Sequence, residues 1–114
     1  MKRTDSLKEI VVKKKERIIL AKASLPEEQI KQQLSGLPST RPFLEAINKP
    51  KVISLIAEIK KQSPSAGMIR ENFNHLEIAK SYQEAGAQAI SVLTEEDFFG
   101  GSLTFLNEIK PQVS

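Results

Sequence analysis

Cysteine and tryptophan are absent, and histidine and tyrosine occur once each. Without Cys there is no disulfide framework, no thiol nucleophile and no Cys-based zinc site. A single His excludes a multi-His metal cluster within one chain. No stretch approaches the ~18–20 uninterrupted apolar residues of a membrane span. The N-terminus also lacks the continuous apolar core of a signal peptide. Internal repeats and low-complexity tracts are missing too. These absences leave a soluble, cytoplasmic protein as the expectation. The 114 residues allow one modest domain, not two with separate cores.

What is present is unevenly charged. Residues 1–22 carry eight Lys/Arg (Lys2, Arg3, Lys8, Lys13, Lys14, Lys15, Arg17, Lys22) against three acids (Asp5, Glu9, Glu16), a balance of +5 within a net +3. A basic arm is one signature of a nucleic-acid partner. Here Leu7, Ile10, Val11, Ile18 and Ala21 recur near helical spacing, which makes the lysines the wet face of an amphipathic helix. No aromatic side chain is interleaved for base stacking. The expectation is no nucleic-acid partner and no membrane partner.

The first half reads as helical. Helix one spans about Asp5 to Lys22. Pro26, Glu27 and Glu28 open a second helix reaching Leu34, with Pro at the first helical position and acids at the positive end of the dipole. Ser35-Gly36-Leu37-Pro38 breaks it, and a short helical piece spans Phe43 to Ile47. The texture changes at Val52. Val52 to Ala57 is a short, nearly continuous apolar run, which suits a strand buried on both faces. Asn74 and Glu77 frame a capping-box-like start for a helix over 74–85, and Gly86 suits its C′ position. Ala87 to Leu93 is a second apolar strand, followed by a helix from Leu103 to Ile109 that Pro111 stops. The order β-α-β-α, with strands about 35 residues apart, predicts a right-handed parallel crossover. Two parallel strands expose edges and an apolar face, so the chain reads as the opening portion of something larger.

The candidate chemistry sits at the strand ends. Alternate residues of a strand share a face, so Ile56, Glu58 and Lys60 project together and Ile59 points away. An acid and a base side by side at the carboxyl end of a buried strand are costly unless paired or used. Carboxyl ends of parallel strands are where α/β folds place active sites. An ion pair that merely closes the strand accounts for the pattern equally well. Ser63-Pro64-Ser65-x-Gly67 is a stiffened polar turn, whose hydroxyls suit a carboxylate or phosphate or serve simple turn chemistry. After strand two, Thr94-Glu95-Glu96-Asp97-Phe98-Phe99-Gly100-Gly101-Ser102 forms a loop at the same end as Lys60. One Phe there suits the wall of a pocket for a flat ring, or else both pack onto neighbouring helices. Gly100-Gly101-Ser102 is a weak anion-site signal and not a dinucleotide or P-loop pattern. His75, beside a helix cap and without a second His or a Cys, reads as a surface or capping residue.

Ile56-Ala57-Glu58-Ile59-Lys60-Lys61-Gln62-Ser63-Pro64-Ser65 closely resembles the first-strand signature of the indole-3-glycerol phosphate synthase family. Ala79 through Gly86-Ala87, Ile90-Ser91-Val92-Leu93-Thr94-Glu95, and Phe99-x-Gly101-Ser102 resemble its next helix, second strand and following loop. Arg41-Pro42-Phe43 and the preceding helices look like the extension ahead of that family's barrel. The resemblance implies an α/β fold, a (β/α)8 TIM barrel of about 250 residues. This chain would supply the N-terminal helical extension (1–50) and the first two β/α units (51–114) of an incomplete barrel. It implies closure of 1-(2-carboxyphenylamino)-1-deoxyribulose 5-phosphate, a phosphorylated small molecule, to indole-3-glycerol phosphate with loss of CO2 and water. This is a lyase step of tryptophan biosynthesis that uses no metal and no organic cofactor.

By the same resemblance, Glu58 matches an active-site glutamate and Lys60 a lysine that engages the substrate. Ser63 matches a residue near the anthranilate carboxylate, and Phe99 an aromatic wall of the anthranilate pocket. The family's general-acid lysine on strand three, its strand-five glutamate and its phosphate loops after strands seven and eight would all fall beyond Ser114. The chain alone is therefore expected to be inactive. The competing expectation is a non-catalytic module that self-associates through exposed strand edges.

Overall fold

The computed structural model describes residues 6–114. They belong to two compact units, one ending at Arg41 and the other running Pro42–Ser114. The expected helix start at Asp5, and the charges of Lys2 and Arg3, lie outside the described residues.

The first unit holds α1 (Ser6–Ser24) and α2 (Glu27–Gln33). Nineteen residues without Gly or Pro let α1 propagate. Pro26 ends it, because the residue before a proline is pushed out of the α region. Pro26 itself sits at the N-cap of α2, not at its first helical position, a boundary difference of one residue. Glu27 and Glu28 occupy the first turn, and Lys31 lies 3.6 Å from each carboxylate. The sequence predicts one apolar face on α1, yet no described residue of α1 is buried. Leu7, Val11 and Ile18 form one stripe, but Val12 and Ile19 lie about 100° round the helix from it, Leu20 lies opposite, and all three are exposed as well. Apolar and charged groups are thus spread round the helix and do not segregate into two faces.

The second unit begins with α3 (Phe43–Ile47) and continues β1 (Ile56–Ile59), β2 (Gln62–Ser63), β3 (Gly67–Met68), α4 (His75–Glu84), β4 (Ala89–Val92) and α5 (Leu103–Ile109). β1 pairs with β4 in parallel, with Ile56 opposite Ala89, Ala57 opposite Ile90, Glu58 opposite Ser91 and Ile59 opposite Val92. α4 lies between them in sequence, which is the β-α-β arrangement expected. β2 and β3 form an antiparallel pair, Gln62 opposite Met68 and Ser63 opposite Gly67. The polar turn read from Ser63 to Gly67 is therefore the tip of a small hairpin. Gly67 adopts φ +66°, a left-handed conformation that glycine enters without a Cβ penalty.

α4 starts as its cap residue dictates. The Asn74 side chain accepts the N–H groups of Leu76 (3.1 Å) and Glu77 (3.2 Å). Gly86, at φ +91°, ends the helix in the left-handed region. The core is Ile59, Ile78, Ala79 and Ile109, with Phe73, Leu76, Tyr82, Ile90, Val92, Phe105 and Val113 packed around it. It joins the Ala57/Ile59 face of β1 to α4 and α5.

Two expectations need correction. β1 starts at Ile56, not at Val52. β4 offers four ladder positions, so the upstream apolar residues have no strand to pair with, and Ile53 is 95% exposed. Leu55 instead accepts the N–H groups of Gln88 and Ala89 and donates its own to the Gln88 side chain. Nor is β1 buried on both faces. Ala57 and Ile59 are buried while Ile56 and Glu58 are exposed. α5, by contrast, ends at Ile109 as expected, and Pro111 sits in a 3-10 turn over Lys110–Gln112 directly after it.

Candidate active site at the carboxyl ends of the two strands

Period-two alternation turns Glu58 away from the core that holds Ala57 and Ile59. Lys60 follows the last residue of β1. Its ammonium lies 2.9 Å from Glu58 Oε1. The other carboxylate oxygen is approached by Ser91 Oγ at 3.5 Å, a long contact that follows from the direct pairing of Glu58 with Ser91 across the ladder. Tyr82, on α4, donates its hydroxyl to the Glu58 backbone carbonyl at 3.1 Å. Helix, strand and neighbouring strand all converge on the acid of the pair.

The loop after β4 brings the aromatic group. Lys60 Nζ stands 5.5 Å from the centre of the Phe99 ring, within the range of a cation–π contact. The loop is organised by Glu95. Its carboxylate accepts the backbone N–H groups of Asp97 (2.9 Å), Phe98 (2.8 Å) and Phe99 (3.0 Å). Its backbone carbonyl accepts the Gly101 N–H at 2.8 Å. Gly100 has φ +62°, and a Cβ there would lie 3.1 Å from Gln62 Cδ, so the loop also presses on β2. A Cβ on Gly101 would overlap the Leu93 carbonyl. Ser102 then caps α5 by accepting the Thr104 N–H at 3.2 Å.

The structure thus brings Glu58, Lys60 and Phe99 together. It does not bring Ser63 to them by any hydrogen bond. The Ser63 hydroxyl turns into its own hairpin, accepting the Ala66 N–H at 3.1 Å and lying 3.4 Å from Ser65 Oγ. Ser91, Tyr82 and Glu95 escape sequence reasoning. The first two act across long sequence separations. Glu95 sits among three consecutive acids, and only the folded loop shows which of them collects the N–H groups. His75 does more than sit at a surface or cap. Its ring stacks on Phe105 at 4.3 Å, and Nε2 lies 2.8 Å from Glu108, tying α4 to α5. Among the described residues, no group of three or more His, Asp or Glu side chains is arranged to hold a metal ion, and no helix is long and apolar enough to cross a membrane.

A cation held by a carboxylate beside an aromatic face suits a flat, anionic substrate. The cation supplies charge, the ring supplies a wall, and the carboxylate orients the cation. Known proteins resemble the chain over most of its length. A protein from Desulforamulus reducens named indole-3-glycerol phosphate synthase is 45% identical over 108 residues, which is 95% of this chain and 41% of the relative. One of the same name from Aliarcobacter butzleri is 46% identical over 112 residues, 95% of this chain and 42% of the relative. A third, from Rhodopirellula baltica, is 43% identical over 107 residues. The chain spans about two-fifths of the length of these relatives. The family description "Indole-3-glycerol phosphate synthase" matches residues 7–114, nearly the whole sequence, and the chain belongs to that family.

Proposed function

We propose that this chain is the N-terminal portion of an indole-3-glycerol phosphate synthase and carries part of its active site. Residues 1–50 form the helical extension and residues 51–114 the first two β/α units of a (β/α)8 barrel. In a closed barrel the Ile56/Glu58 face of β1 becomes part of the filled interior, and the Lys60 and Phe99 end becomes the catalytic face. The substrate is 1-(2-carboxyphenylamino)-1-deoxyribulose 5-phosphate, and the products are indole-3-glycerol phosphate, CO2 and water.

In this reading Phe99 walls the pocket for the substituted ring and holds it near the carbon it attacks. Lys60 stabilises negative charge on the substrate as the ring closes. Glu58 orients Lys60 and relays protons. Ser63, at the turn of the hairpin, donates its hydroxyl hydrogen to the ring carboxylate while its oxygen accepts the Ala66 N–H. The reaction runs without a metal or organic cofactor, and the protein works in the cytoplasm. The observation that carries the reading is the Glu58–Lys60 contact at 2.9 Å with the Phe99 ring beside the same ammonium.

The test is complementation. The chain is mixed with a separately produced polypeptide holding strands three to eight of the Aliarcobacter butzleri relative, and indole-3-glycerol phosphate is measured. The chain alone gives no product and the assembled pair does. A pair that assembles and makes none contradicts the proposal. A second reading, self-association through the two-stranded sheet, draws on the exposure of Ile53, Leu55 and Ile56. Light scattering decides it: a monodisperse monomer removes it.

A further inference from the structure

We propose that Glu95 is a positioning residue whose carboxylate, by gathering the N–H groups of residues 97–99, fixes the Phe99 ring against Lys60 and so sets the width of the ring-binding pocket. The inference rests on the assignment of Phe99 as a pocket wall, and it goes further by assigning that wall's placement to a residue outside the pocket. No contact of Glu95 with Glu58, Lys60 or Ser63 is needed.

Three bonds converge on the carboxylate. Phe98 and Phe99 share one oxygen, at 2.8 and 3.0 Å, and Asp97 uses the other at 2.9 Å. Hydrogen bonds to an ionised acceptor are roughly twice as strong as neutral ones. Phe98 and Phe99 are half-buried, so their N–H groups lose solvent as a ready substitute partner. The fourth bond, from the Gly101 N–H to the Glu95 carbonyl at 2.8 Å, closes the loop on the same residue. Gln62 lies against Gly100 and blocks outward drift on the side of β2. The direction of the Phe99 backbone, and with it the ring, is therefore set by Glu95.

The test has two readouts. The first is proton NMR of the chain itself. The Phe99 ring current moves the Lys60 ε-methylene signals upfield, and Phe99→Leu abolishes the shift as a control. Glu95→Ala is expected to abolish it as well while the signals of Ile59, Ile78 and Ile109 stay in place. Glu95→Gln keeps one acceptor oxygen for the Phe98 and Phe99 N–H groups and is expected to retain most of the shift. The proposal is overturned if Glu95→Ala keeps the shift, if the wild-type chain shows none, or if both Glu95 variants lose the core signals, which would make Glu95 a determinant of folding.

The second readout is kinetics of the complemented pair. Glu95→Ala is expected to lower kcat/KM by about a hundredfold, the scale of a misplacement of order 1 Å. The loss falls on kcat as well as on KM, because the wall both binds the ring and holds it near the carbon it attacks. Glu95→Gln recovers most of the loss. The two ideas fail separately. A shift that depends on Glu95 in a pair without turnover sinks the catalytic reading alone. Turnover that is indifferent to Glu95→Ala sinks the positioning role alone.

Discussion

At the residue scale, the Glu58–Lys60 pair is best understood through what it does not stabilise. The side chains are 45% and 32% exposed. An ion pair so placed contributes only about 0–1 kcal/mol to folding. Its position at the end of a strand whose other face is core is therefore poorly explained by stability and well explained by chemistry. Lys60→Met should leave the urea midpoint of the chain nearly unchanged while lowering turnover of the complemented pair by about two to three orders of magnitude, the range seen when one preorganised charge-stabilising donor is removed. Gly101→Ala should behave in the opposite sense. Its Cβ would meet the Leu93 carbonyl and the Thr94 backbone, neither of which can step aside as a side-chain tip can. A cost of about 1–3 kcal/mol is expected, read as a lower urea midpoint.

At the element scale, the structure follows the sequence wherever the signal is local. Asn74 and Gly86 bound α4 as their chemistry predicts, since a side-chain acceptor at the cap and a left-handed glycine at the end act within a few residues. Asn74→Ala should accordingly cost about 1 kcal/mol, measurable by urea denaturation, and Asn74→Asp should restore most of it. Legibility stops where partners lie far off in sequence. Val52 to Leu55 has strand-like composition, but β4 fixes the ladder at four pairs and leaves those residues outside it. The β2–β3 hairpin, with two residues on each side, is too short to show alternation. The pairing of Glu58 with Ser91, the reach of Tyr82 from α4 and the choice of Glu95 among three neighbouring acids all require the fold. Glu58 and Lys60 are legible from strand alternation and the loop of Phe98 and Phe99 from parallel order, while the choice of Phe99 between the two comes from the family resemblance. Ser63 is singled out by its turn pattern and by the family resemblance, and its hydroxyl is engaged within the hairpin.

At the scale of the whole molecule, the second unit is a two-stranded parallel sheet with α4 and α5 packed on the Ala57/Ile59 face of β1. Its other face carries Ile56 and Glu58 to the surface. All-parallel sheets are normally covered on both faces, and in a barrel the inner face is filled by side chains from neighbouring strands. The exposed apolar residues around β1 are those that neighbouring strands would cover in the proposed barrel. Assembly with the remaining strands should bury Ile53, Leu55 and Ile56. Hydrogen exchange of the Ile56–Ile59 amides should slow when the complementing polypeptide is added and stay unchanged with an unrelated one.

The most direct measurement is the rate at which the complemented pair forms indole-3-glycerol phosphate with wild-type, Lys60→Met and Lys80→Met chains, the last a change on the exposed surface of α4. Turnover with the wild-type and Lys80→Met chains, and its loss with Lys60→Met in a pair that still assembles, is the predicted result. Equal turnover by all three would contradict the placement of the site at Glu58, Lys60 and Phe99.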